Sequence, residues 1–236
     1  MATLQVGPKA ALRIPVRRAR QSLGYPCARM PPDERPIVCR FAAEPPQGAL
    51  PHGRWADTLQ AEFLGACLRV KPEEGDDVGT AGTITWFPDR TWSGRTYVPA
   101  TARTSTGMEL YGYVSFAPGD DQREPGEFFA WADYTPDTAD QNPEWRMDIS
   151  QEVVGGWRGE GEEVAAMTLI WGVPLVRGGA TVTAELGETT VDQVRVSEDR
   201  FTLLAPDAYA EQYLDVVLWD RDGGELARES LYEEDE

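Results

Sequence analysis

Histidine is nearly absent: the chain has one, His52, among 236 residues. With it goes most of the chemistry that uses imidazole as a general base. His52 stands between Pro51 and Gly53, where a loop side chain is expected, and no Gly-x-Ser-x-Gly turn accompanies it, which argues against a serine-hydrolase triad. Cysteine is scarce too. Cys27, Cys39 and Cys67 are an odd number, widely spaced, and make no disulfide framework. A zinc site would have to recruit all three with His52, across gaps of at least eleven residues. Structural zinc sites bring ligands in close pairs instead, so the cysteines read as small buried hydrophobes in a reduced compartment. No glycine-rich phosphate cradle or dinucleotide fingerprint occurs, and the β-α alternation that would host one is missing.

Long apolar runs are also lacking. Nothing approaches the roughly 18 residues of a membrane span, and the N-terminus has basic residues without the apolar stretch of a secretory signal. The expectation is a soluble, cytoplasmic chain with no membrane partner. Positive charge is in short supply: 22 Lys and Arg face 40 Asp and Glu, a net charge of −18. Its distribution is uneven. Residues 1–40 carry eight basic side chains against Asp33 and Glu34, which is +6, so the remainder must be −24. A body that acidic repels phosphates and anionic lipids, and direct nucleic-acid binding is not expected of it.

What is present points to β structure. Val182, Ala184 and Leu186 alternate with Thr181, Thr183 and Glu185, so residues two apart share one face of a strand. Phe201 and Leu203 repeat the pattern, and Leu214, Val216 and Leu218 interleave with Tyr213, Val217 and Trp219. Gly178-Gly179, Gly187, Pro206-Asp207 and Asp222-Gly223-Gly224 supply the turns. Further upstream, residues 83–87, 96–98, 110–116 and 128–133 read as strands. In the last two both faces are largely apolar, as in strands buried on two sides. Residues 53–71 fit a helix through Trp55, Leu59, Phe63, Cys67 and Val70, but also alternate like a strand, and a strand is expected at 61–71. Residues 151–161, rich in glycine and charge, read as a joint. The fold class expected is all-β, built of antiparallel β-sandwich units.

The organisation expected is a proline-rich basic arm at 1–52, a β-rich domain with long acidic loops at 53–160, a β-sandwich at 161–232 and an acidic tail at 233–236. The arm's prolines forbid a long helix. Its basic residues Arg13, Arg17, Arg18, Arg20, Arg29 and Arg35 are the candidate partner-binding groups, suited to strand addition or ion pairing with an acidic surface. In the loops, Asp137, Asp140, Asn142 and Glu144, with Asp120 and Asp121, offer oxygen ligands for calcium. Their order does not match a hand-type loop, so a solvated acidic loop is expected and no metal or cofactor. Trp86, Trp92, Trp131, Trp145 and Trp157 would suit a sugar-stacking platform, while packing in a β core accounts for most of them.

Residues 169–232 resemble the Ig-like β-sandwich modules frequent in actinobacterial accessory proteins. The residues that carry the likeness are Trp171-Gly172, the strand at 180–186, Arg200-Phe201-Thr202-Leu203 and the Asp-x-Asp-Gly hairpin at 220–224. The resemblance implies a non-catalytic module and carries no site residues with it. The functional expectation is therefore a non-enzymatic interaction or assembly protein that docks through its basic arm to a protein partner or a further copy of itself. Two other expectations stand beside it: an acidic decoy or regulator for the nucleic-acid groove of a basic protein, and a carbohydrate-binding or glycan-processing protein.

Overall fold

The structure is a computed structural model and describes residues 55–119, 125–158, 164–208 and 212–232. The arm at 1–52 and the tail at 233–236 lie outside the described residues. Those described form one helix of any length, α1 (Ala56–Cys67), and antiparallel sheets of short strands. The expected all-β, sandwich-like class is what the chain adopts.

Three sheets stack. In the first, β1 (Ala81–Trp86), β3 (Arg95–Thr104), β4 (Glu109–Ala117) and β5 (Gly126–Thr135) pair in that order, and β2 (Arg90–Trp92) pairs with β3. The β2–β3 turn places Ser93 at φ 52° and Gly94 at φ 75°. Two successive positive φ values match the right-handed twist of the flanking strands, and glycine takes the second without a Cβ clash. The middle sheet runs β10 (Phe201–Asp207), β7 (Val164–Pro174), β6 (Met147–Arg158). In the outer sheet the order is β12 (Glu225–Ser230), β11 (Leu214–Trp219), β8 (Thr181–Leu186), β9 (Thr189–Arg195).

The period-two alternation of each strand divides its side chains between layers. In the first sheet, Val98, Ala100, Val114 and Phe116 meet Leu59, Phe63 and Ala66 of α1. The opposite face sends Tyr97, Tyr111 and Tyr113 against Met167, Leu169, Trp171 and Leu204 of the middle sheet. The middle sheet's other face carries Ile170, Phe201, Leu203 and Ala205, which pack on Val182, Ala184, Leu186, Val216 and Leu218 of the outer sheet. Strands β7 and β10 are thus buried on both sides, which is why they read as near-continuous apolar runs.

Two expectations are corrected. The stretch at 61–71 is not a strand: α1 runs to Cys67, with Leu59 1%, Phe63 0% and Ala66 3% exposed while Leu68 is 88% exposed. Spacings of four and three residues put the buried three on one helical face over the first sheet, and that burial decides between the two patterns. Nor is 151–161 a joint. Residues through Arg158 belong to β6, which pairs with β7 along its length with a bulge between Val153 and Gly155. Gly155 is there for close approach rather than freedom, since a Cβ would come 2.7 Å from Cζ3 of Trp92. The division expected near residue 160 falls between β6 and β7, two hydrogen-bonded neighbours.

A buried clasp ties the layers together. Arg90 of β2 donates through Nη2 to Asp192 Oδ1 of β9 at 2.9 Å and through Nη1 to the Thr202 carbonyl of β10 at 3.3 Å. Asp192 Oδ2 also accepts the Leu204 backbone N–H at 2.8 Å. One side chain from the first sheet therefore reaches both other sheets.

Candidate functional site

Strands β5 and β6 are terminal strands of their sheets, and both border the aromatic core between the first and middle sheets. Phe129, Trp131 and Asp133 stand two apart along β5 and share one face, opposite Ser115, Tyr113 and Tyr111 of β4. The rings form a run. Tyr97 lies 5.8 Å from Tyr113 between centroids, Tyr113 stacks on Trp131 at 6.2 Å and 30°, and Phe129 lies 6.2 Å from Tyr113. Tyr111 meets the edge of Trp131 at 5.8 Å. Offset and edge contacts of this kind hold the rings in fixed positions. Burial falls along the run, from Tyr113 at 6% exposed to Phe129 at 53%, so the run reaches solvent on β5.

Strand β6 contributes Glu152. It pairs with Leu169, whose side chain lies in the core between the first and middle sheets, and so directs its carboxyl toward the first sheet. Burial pushes that carboxyl up to about 7, and the charge of Asp133 pushes in the same direction. The Tyr113 hydroxyl is raised as well, by burial first and then by the charge of Glu152, with Arg95 opposing. Asp133 Oδ1 accepts the Tyr134 backbone N–H at 2.9 Å, and the fixed aromatic faces lie beside the Glu152 carboxyl.

A second built surface is the outer face of the outer sheet. Val217 is 0% and Trp219 1% exposed, yet both point away from the sandwich core and belong to none of the three core clusters. Trp219 Nε1 donates to Thr183 Oγ1 at 2.9 Å, and that hydroxyl donates to Glu185 Oε1 at 3.1 Å. Arg228 then bridges three carboxylates: Glu185 at 2.9 Å, Asp215 at 2.8 Å and Glu225 at 3.1 Å. Burial works against the guanidinium's charge, but hydrogen bonds to Glu225 and Asp215 and the charge of Glu185 outweigh it and hold its pKa above the ordinary value. One guanidinium thus ties three carboxylates on this face together.

The expected site residues divide as follows. Arg13, Arg17, Arg18, Arg20, Arg29 and Arg35 lie outside the described residues, as do Cys27, Cys39, His52, Asp120 and Asp121. Cys67 is a free thiol whose pKa burial raises to about 11, which keeps it protonated and unreactive at neutral pH. In the 134–144 loop, Asp140 pairs with Arg103 at 2.9 Å and Asn142 Nδ2 donates to the Thr138 carbonyl at 3.0 Å. No group of three or more histidine, cysteine or acidic residues is placed to hold a metal among the described residues. The tryptophans do not make one platform: Trp86 packs in the core under α1, while Trp92, Trp131 and Trp157 border the next core. A cavity of about 400 Å³ near Trp86, lined by Gln60, Thr85 and Arg200 among others, holds one charged group, and Arg200 Nη1 already donates to the Trp86 carbonyl at 3.2 Å.

Sequence reasoning missed Tyr113, Asp133 and Glu152 as a set. They come from three strands and meet only through sheet pairing and stacking; Glu152 moreover falls in the stretch read as a joint. Among the described residues no helix is long and apolar enough to cross a membrane. Compared with known proteins, the chain matches no family model, no curated protein and no solved structure. The likeness of 169–232 to Ig-like modules rests on the quoted residues alone.

Proposed function

We propose that this chain is a non-catalytic, cytoplasmic assembly protein, in which the basic arm of one copy docks on the acidic body of the next. The observation that carries the reading is the division of charge along the chain, +6 in residues 1–40 against −24 in the remainder. The complementary charge is in the same chain, in the +6 of residues 1–40. Repeated head-to-tail contacts of one kind build rings or open chains, and opposite charges steer the encounter.

The test is light scattering on full-length protein and on a variant with Arg13, Arg17, Arg18, Arg20, Arg29 and Arg35 replaced by serine. The native protein is expected as an oligomer at low salt that shifts toward monomer as salt rises. The variant is expected as a monomer with an unchanged circular dichroism spectrum. An identical mass for both proteins overturns the reading.

A further inference from the structure

We infer that the cleft between α1 and the free edge of β1 takes the carboxyl-terminal end of an extended peptide, which adds to β1 as a strand and sets its terminal carboxylate beside Arg200. Neither the arm nor the carboxylates of the outer sheet enter this reading. Strand β1 ends its sheet, hydrogen-bonded to β3 alone among the described strands. The Phe87 N–H donates to the Pro99 carbonyl at 3.0 Å, and along an antiparallel pair residues that bond across the ladder alternate with residues that do not. Thr85, opposite Thr101, therefore turns its N–H and C=O toward β3, whereas Ile84 and Trp86, opposite Ala102 and Ala100, turn theirs outward. Trp86 shows this directly, since its carbonyl accepts from Arg200 Nη1 at 3.2 Å. The remaining outward groups, the Ile84 N–H and carbonyl and the Trp86 N–H, border a cavity of about 400 Å³. Its other wall is Ala56 and Gln60, one turn apart on α1.

An exposed row of backbone donors and acceptors is a template for another strand, and Arg200 sets its direction and its end. In a parallel pair, the incoming residue that donates its N–H to the Ile84 carbonyl offers its own carbonyl to the Trp86 N–H. The following bond would run from a later N–H of that chain to the Trp86 carbonyl. Arg200 already holds that carbonyl, so a chain that stops one bond earlier loses nothing. Its last carbonyl is then a carboxylate, which accepts the Trp86 N–H next to a guanidinium. Antiparallel addition would instead bring a competing N–H, or an amino-terminal ammonium, against Arg200.

Charge agrees with this arrangement. No acidic side chain lines the cavity, and Arg200, half-buried, is its one charged group. None of the ion pairs among the described residues involves Arg200, and a guanidinium keeps further N–H donors after one is spent on a carbonyl. A small inorganic anion would meet Arg200 but leave the Ile84 groups unpaired. The apolar contributions of Ala56 and Ile84 to the walls favour an uncharged last side chain.

The experiment is a titration of full-length, nitrogen-15-labelled protein with N-acetylated tetrapeptides ending in valine, leucine or phenylalanine, followed by NMR at the backbone amides of Ile84 and Trp86. Saturable shifts at both amides are expected for at least one of the three. The same peptide capped as a carboxyl-terminal amide should bind about tenfold more weakly, the loss of a hydrogen bond to a charged group. Methylating the nitrogen of its last residue should weaken it too, since the Ile84 carbonyl then has no donor. Arg200→Gln should bring the free acid down to the affinity of the amide and leave the amide unchanged, and the dispersion of the spectrum reports that this variant is folded. Equal affinity for free acid and amide overturns the role of the carboxylate. Acetate that reproduces the shifts at the same affinity overturns the reading in favour of a bare anion pocket. Amides of Ile84 and Trp86 that no peptide moves, as when the chain's own arm covers the edge, overturn it altogether.

Discussion

Glu229 shows how one side chain links the fold to pH. It sits on β12 opposite Val216, facing the core, and is 9% exposed. Burial raises its carboxyl to about 7, with the charge of Arg146 opposing. A carboxyl whose folded pKa exceeds the unfolded value binds its proton more tightly in the fold. Its contribution is therefore present at pH 4 and is lost as pH rises through 7. Each pKa unit is about 1.4 kcal/mol, and contact with solvent reduces the whole to about 1–2 kcal/mol. Glu229→Gln is accordingly expected to raise the melting temperature at pH 8 and leave it nearly unchanged at pH 4.5. Thermal melts at the two values check this, and an equal shift at both would contradict it. None of this was legible in the chain, where Glu229 is one of 40 acidic residues and only pairing with β11 turns it inward.

At the scale of elements, β2 is the shortest strand, three residues long, and its role rests on Arg90. Arg90 is 2% exposed and its ion pair with Asp192 is a buried link between the first and outer sheets. Removing one partner strands the other charge in a dry interior, at about 3–5 kcal/mol. Arg90→Leu should lower stability by that amount in urea melts, and Arg90→Leu with Asp192→Asn should recover part of the loss, since asparagine can still accept the Leu204 N–H. Equal stability for single and double variants would show that the pair carries no coupling. Strands were the elements most legible from sequence: Val182, Ala184 and Leu186 alternate as their burial does, and the Asp222-Gly223-Gly224 turn does join β11 to β12, with the Gly224 N–H donating to Asp220 Oδ1 at 2.7 Å. Helix α1 was ambiguous because Leu64 and Leu68 extend an alternating pattern that no neighbouring strand takes up.

At the scale of the molecule, the middle sheet belongs to two cores at once. Trp171 faces the first sheet and Ile170, its neighbour, faces the outer one. Unfolding either outer layer therefore exposes one whole face of the middle sheet. A single cooperative transition is expected in calorimetry, with calorimetric and van't Hoff enthalpies equal. Two separated transitions would mean that the layers are energetically independent.

Composition, charge and alternation determined that this chain is an antiparallel β protein with an acidic body, a basic leading segment and a single histidine. Those are properties of residues and of their nearest neighbours along the chain, so a sequence displays them directly. Which strands pair, that β6 joins the second sheet, and that Tyr113, Asp133 and Glu152 come near one another were decided by tertiary structure alone. Each depends on contacts between residues tens of positions apart, where the burial of a shared face, rather than any local preference, selects the partner.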